Sequence, residues 1–162
     1  MEMANPHHSM VSFQQELRAG RLELNVVRNY HDVYSHFDEP AQGVFRLTYV
    51  RLSKDRMTVK AFVACVMNGQ VDGFPCTSVG YAVPEDMRNQ GFAKQLLREA
   101  IQDQAFQAGQ VGHKAIYVEA VADVTNLPSQ RVAEAVLAVE REPITDSASG
   151  RPAYRYTLRL PT

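Results

Sequence analysis

The stretch Val79–Leu97, V-G-Y-A-V-P-E-D-M-R-N-Q-G-F-A-K-Q-L-L, reads as a strand, a short turn and an amphipathic helix. Its chemistry lies in the turn, Arg88-Asn89-Gln90-Gly91-Phe92-Ala93, with Lys94 behind it. A turn that opens a helix can aim several unpaired N–H groups at a phosphate, and the helix dipole adds to the attraction. Gly91 lets a ligand approach the backbone closely, and Ala93 adds little bulk. The expected ligand is a cofactor that carries a pyrophosphate. The turn lacks the Gly-Lys-Ser/Thr ending of an ATP-binding loop, which argues against a nucleotide-triphosphate binder.

Around this turn, hydrophobic periodicity predicts a chain of alternating elements. Thr77–Val83 is the strand before it, stopped by Pro84, with Ser78, Gly80 and Ala82 on one face and Thr77, Val79, Tyr81 and Val83 on the other. Phe92–Ala108 is the strongest helix, with Ala93, Leu96, Leu97, Ala100, Ile101 and Ala105 on one side. Ala115–Val121 reads as a strand and Asn126–Leu137 as a second amphipathic helix, so a second strand–loop–helix unit follows the first. Upstream, Val44–Leu52 and Thr58–Met67 read as strands, with Asn68-Gly69 as a hairpin turn. Ser12–Ala19 reads as a helix capped by Ser12, after a loose leader over residues 1–10. Residues 21–38 give two patterns at once. Leu22, Leu24 and Val26 alternate, whereas Tyr30, Val33, Tyr34 and Phe37 fall at helical spacing. Asp38–Gly43 reads as a break. Ile144 and Tyr154–Leu160 predict a closing hairpin.

A chain of 162 residues with 45% hydrophobic and 22% charged residues predicts one globular domain. Its net charge of −1 gives no electrostatic case for nucleic acid. No apolar run reaches the ~20 residues that span a bilayer, and the N-terminus lacks a signal-peptide core, so no membrane contact and a cytoplasmic location are expected. Cys65 and Cys76 read as reduced and buried, and no Cys or His spacing predicts a metal site.

The turn and helix carry a further pattern. Arg88, Gly91 and Ala93, followed by the aliphatic pair Leu96-Leu97, match the Arg/Gln-x-x-Gly-x-Gly/Ala signature of the GNAT N-acetyltransferases, and Asn126-Leu127-Pro128-Ser129 resembles that family's second signature. The chain resembles this family from about Val44 to Leu160. The resemblance implies an α+β fold with α/β/α layers. A central mixed, mostly antiparallel sheet, splayed between its fourth and fifth strands, would be flanked by helices. Acetyl-CoA would enter the splay. Its pantetheine would pair with the backbone of Tyr81, Ala82 and Val83, and its pyrophosphate would rest on Arg88, Asn89, Gln90, Gly91, Phe92, Ala93 and Lys94. Asn126 and Ser129 would meet the pantetheine arm from the other side.

The implied activity is acetyl transfer to a primary amine, on a small molecule or a protein N-terminus, by direct attack in a ternary complex. No metal takes part, and a homodimer is compatible with the resemblance. Glu119, on the strand before Asn126, is the candidate base, because an attacking ammonium must first lose a proton. Many relatives protonate the departing thiolate with a tyrosine on the second helix, at the position of Ala133 here. Tyr154 and Tyr156 are therefore the candidate acids. The missing tyrosine also keeps open the alternative of a non-catalytic acyl-CoA-binding module.

Overall fold

The strand-forming runs on either side of the turn all join one sheet. The computed structural model describes residues 5–162. In chain order the elements are α1 (Pro6–Arg18), β1 (Asn25–Val26), β2 (Val33–Ala41), β3 (Val44–Leu52), β4 (Val59–Val71), β5 (Phe74–Ala82), α2 (Phe92–Gln110), β6 (Ala115–Asp123), α3 (Leu127–Leu137), β7 (Arg141–Thr145) and β8 (Pro152–Pro161). The strands form a single sheet in the order β1-β2-β3-β4-β5-β6-β8-β7. Every pairing is antiparallel except β5 with β6, which α2 connects as a crossover.

The sheet is α/β/α layered because its two faces bury different helices. On one face, Tyr49, Val63, Cys65, Val79, Val118 and Ala120 pack under α2 and α3. On the other, Val50, Leu52, Val59, Phe62 and Ala64 pack under Met10, Phe13 and Leu17 of α1. The alternation of β3 shows the split within one strand, since neighbouring Tyr49 and Val50 enter opposite cores.

The parallel pairing of β5 and β6 is short. It runs from Cys76–Tyr117 to Val79–Ala120 and stops. Beyond it Gly80–Ala82 and Val121–Asp123 continue as strands, and β6 stays paired to β8 through Asp123. This is the expected splay. It falls between the fifth and sixth strands here because the two-residue β1 precedes the rest.

Several sequence expectations change. Helix α1 begins at Pro6, with Asn5 as its cap, so the leader expected over residues 1–10 is helical from residue 6, and residues 1–4 lie outside the described residues. Pro at the first helical position and an Asn oxygen accepting from the His7 N–H at 2.9 Å start the helix earlier than Ser12 would. Residues 33–38 of the ambiguous segment belong to strand β2, which runs on to Ala41, so the break expected over Asp38–Gly43 is confined to the turn before Val44; pairing with β3 overrides the helical spacing. The β4–β5 hairpin turns at Asp72-Gly73; Asn68-Gly69 instead falls at a register shift between Met67 and Gln70, where an extra residue is absorbed as a bulge.

One polar cluster interrupts the apolar face of α2. Asp103 is buried, and the Tyr49 hydroxyl donates to its Oδ2 at 2.5 Å while Gln107 Nε2 donates to the same oxygen at 2.6 Å. Burial pushes the Tyr49 phenol well above its usual range, so it remains a donor. Tyr49→Phe removes one of two donors from a buried carboxylate, and urea unfolding is expected to show a loss of about 1–3 kcal/mol.

Candidate active site

The parting of β5 from β6 opens a cleft of about 880 Å³. Gly80, Tyr81, Ala82 and Val83 form one wall, and Val121, Asp123, Asn126 and Ser129 the opposite one. The turn from Arg88 to Lys94 lies at one end, and Pro6 and His7 of α1 reach it from the other face of the sheet.

The turn is built as an anion cradle. Asn89 and Gly91 both adopt left-handed backbone, with φ of 62° and 77°. Gly91 is the helix cap and offers no side-chain oxygen to the first turn. Among the described residues, the six N–H groups from Asn89 to Lys94 find no acceptor in the protein. No acidic side chain occupies the first turn of α2, so its dipole is uncompensated. A Cβ added at Gly91 would meet no atom within 4 Å, which leaves that side of the turn open to a ligand. Arg88, Lys94 and Arg131 bring cationic side chains to the same cleft. Asn89 and Gly91 through Lys94 line it; Gln90 is exposed beside it, and its amide reaches the Asp86 carbonyl at 3.4 Å.

The far wall is fixed by polar contacts. Asn126 caps α3 by accepting from the Ser129 N–H at 3.1 Å. Buried Gln130 donates to the carbonyls of Asp123 and Val124 at 2.9 and 3.0 Å, which sets the path from β6 into α3. Asp123 Oδ1 accepts from the Thr125 N–H at 2.9 Å and its hydroxyl at 2.7 Å, and Oδ2 pairs with Arg151 at 2.8 Å. These contacts, the Thr125 N–H first among them, hold the Asp123 carboxyl below the usual carboxylate range.

Tyr81 joins the two walls. Its hydroxyl donates to the Ser129 carbonyl at 2.6 Å, and the Ser129 hydroxyl donates back to it at 3.1 Å. The phenol also meets the backbone of Ala133, and burial is the main reason its pKa is pushed up to about 12.

The three expected catalytic residues do not line this cleft. Glu119 pairs with Ser78 and Thr157, one residue before the strands part, on the face that α1 covers farther along the sheet. Tyr156 is fully buried and donates to Glu134 Oε1 at 3.2 Å. The Tyr154 ring carries the Arg141 guanidinium 3.9 Å from its centroid. Sequence reasoning missed Arg131 and His7, which line the cleft, and buried Gln130, which holds the β6–α3 junction. Gln130 leaves a signal, since a polar residue stands three positions before Ala133 on the inward face of a helix.

The sequence model of the acetyltransferase (GNAT) family matches residues 14–138. The chain belongs to that family. Among solved structures, the ribosomal-protein-S5-alanine acetyltransferase of Vibrio fischeri superposes with a TM-score of 0.55 at 12% identity, over 82% of this chain and 96% of that one. Mycobacterium smegmatis RimJ in complex with CoA-disulfide superposes at 0.53 and 19% identity, over 70% and 53%. RimL, a ribosomal L7/L12 alpha-N-protein acetyltransferase in complex with coenzyme A, gives 0.51 and 14%, over 71% and 62%. Several other solved structures are also matched over less than two thirds of their length, between 64% and 66%. No curated protein matches the sequence. At these identities the neighbours establish the GNAT fold, and the match to the family's sequence model establishes membership.

Among the described residues, no cluster of His, Cys, Asp and Glu could hold a metal ion, and no helix is long and apolar enough to cross a membrane.

The Tyr81–Ser129 bridge should stabilise the parted walls. Tyr81→Phe keeps the ring and removes the hydroxyl, so the unfolding free energy is expected to fall by about 1 kcal/mol, read from the denaturant midpoint.

Proposed function

We propose that this protein transfers an acetyl group from acetyl-CoA to a primary amine. The observation that carries the reading is the alignment of the unpaired β5 edge, Gly80–Ala82, with the free N–H groups of Asn89–Lys94 beyond it. An amide-bearing pantetheine could pair with the strand edge while the pyrophosphate rests on the turn. Arg88, Lys94 and Arg131 suit the remaining phosphate charge. Acetyl-CoA supplies the activated acyl group. The protein's part is to orient it and to polarise the thioester carbonyl with a strand N–H near Val83.

In the proposed reaction the amine attacks the thioester directly while both substrates are bound. Proteins named as acetyltransferases of ribosomal proteins, and one named as a chimera of a Vibrio cholerae spermidine N-acetyltransferase, share the fold. A peptide N-terminus and a polyamine are therefore the first acceptors to try. The positions of Tyr154 and Tyr156 away from the cleft favour a second reading, a CoA-binding module without transferase activity. Acetyl-CoA binding without thiol release across a broad amine panel would select it.

Acetyl-CoA at one hundred times its dissociation constant should stabilise the fold by about 2.7 kcal/mol, and a thermal melt should shift upward with CoA or acetyl-CoA and less with ATP. No shift at millimolar CoA would remove the reading.

Gly91→Glu is expected to abolish that shift. The variant places a carboxylate over the cradle, and its own left-handed φ lowers stability by about 1–2 kcal/mol without a steric clash. Native CoA affinity in a folded Gly91→Glu protein would move the pyrophosphate elsewhere.

A further inference from the structure

We infer that the imidazole of His7, on the first turn of α1, takes the proton from the acceptor ammonium. The inference rests on the acetyltransferase reading and adds the group that reading leaves without an assignment.

The titratable side chains of the cleft are Tyr81 on β5, Arg88 and Lys94 at the turn, Asp123 on β6, Arg131 on α3 and His7 on α1. The three cations cannot accept a proton. The Tyr81 hydroxyl is committed as a donor to Ser129. Both Asp123 oxygens are occupied, by Thr125 and by Arg151, and its carboxyl is a weakened base. Among the described residues, the His7 imidazole makes no side-chain hydrogen bond in the protein, so a ring nitrogen is open to accept a proton. It is exposed, so an imidazolium formed there can release its proton to solvent.

Placement supports the same assignment. Helix α1 lies over β4 and β5 on the face opposite α2 and α3. Its first turn thus reaches the gap from the side away from the phosphate cradle. Gly80 presents no side chain on that face, and Val121, the next residue of β6 after the last pair, is exposed. An amine can therefore meet the thioester between Gly80 and Val121 with His7 beside its path. Glu119 stands one residue back, inside the paired part of the sheet.

The step balances without a further reactant. The ammonium gives one proton to the His7 imidazole, and the freed lone pair forms the C–N bond at the thioester carbon. Collapse breaks the C–S bond, the departing thiolate takes the second proton from nitrogen, and the imidazolium returns its proton to solvent.

The test compares His7→Gln with His8→Gln, a control one residue along α1 that faces the second cavity, with His36 and Arg46. Turnover is followed by thiol release with spermidine and with a tripeptide bearing a free N-terminus, using the faster of the two. His7→Gln is expected to lower turnover about 10²-fold, to leave the CoA-induced thermal shift unchanged, and to abolish the limb of the rate profile that rises with pH. His8→Gln should keep both rate and limb. In the parent, CoA should shift the imidazole NMR signals of His7 and leave those of His113 in place. An unchanged rate and pH limb in His7→Gln would overturn the assignment, as would CoA binding that leaves the His7 signals unmoved. A parent that binds CoA and acetylates neither amine would leave no proton to remove and would overturn it too. A parent that shows no CoA shift would overturn the acetyltransferase reading itself, and the inference with it.

Discussion

Backbone hydrogen bonding cannot be abandoned inside a sheet without a replacement, and this fold abandons it at one place. After Val79 and Ala120 the two parallel strands separate, and the inner edge of Gly80–Ala82 is left without a strand partner. Buried N–H and C=O groups left alone are costly, so such an edge must meet water or a ligand. The neighbouring pairings resist closure of the gap. β6 is held to β8 along its whole length, from Ala115 to Asp123, and β5 is held to β4 through Ala82. Each strand follows its outer partner, and the twist of the sheet draws the two apart.

That separation also explains the arrangement around it. Helix α2 must start where β5 ends, so its free N–H groups face the mouth of the gap. Helix α3 must start where β6 ends, which puts the Asn126 cap and Ser129 on the other rim. Tyr81 spans the rims with a hydrogen bond to a helix-start carbonyl instead of a strand bond. The contact keeps the walls together on the α2 and α3 face and leaves the opposite face, at Gly80, without a side chain in the way.

The proposed cofactor half of the site was legible in the sequence because it is nearly contiguous. Strand, turn, glycine and helix follow one another from Thr77 to Leu97, and their roles depend on local backbone geometry. The acceptor half was not legible, because its residues meet only through long-range packing. His7 and Gly80 are 73 positions apart in the chain, and α1 meets β4 and β5 only once the sheet has formed under Met10, Phe13 and Leu17. The same reason defeated the reading of residues 33–41. Their spacing fits a helix, but pairing from Val33 to Ala41 with β3 decides the outcome. Glu119, Tyr154 and Tyr156 were placed on the right strands, yet strand identity does not say which residue lies beyond the point of separation. Tyr156 belongs to the core under α3, and Glu119 falls one pair short of the gap.

The two halves therefore rest on different physics. In the proposed reading, phosphate recognition uses backbone N–H groups and a helix dipole, so the left-handed positions Asn89 and Gly91, with φ of 62° and 77°, are the constrained ones in the turn. Proton removal needs one titratable side chain at one place, and the sheet offers few. On the α2 and α3 side the Tyr81–Ser129 hydrogen bond bridges the gap. On the phosphate end it is lined by cations, which would stabilise the free base and disfavour its protonation. The remaining approach is from α1. A helix that precedes the first strand in sequence can lie across the sheet without interrupting any pairing. Its first turn can then differ in sequence without disturbing the cofactor cradle on the other side. In the proposed reaction, the placement of His7 on that turn separates the chemistry that deprotonates the amine from the geometry that holds the acyl donor.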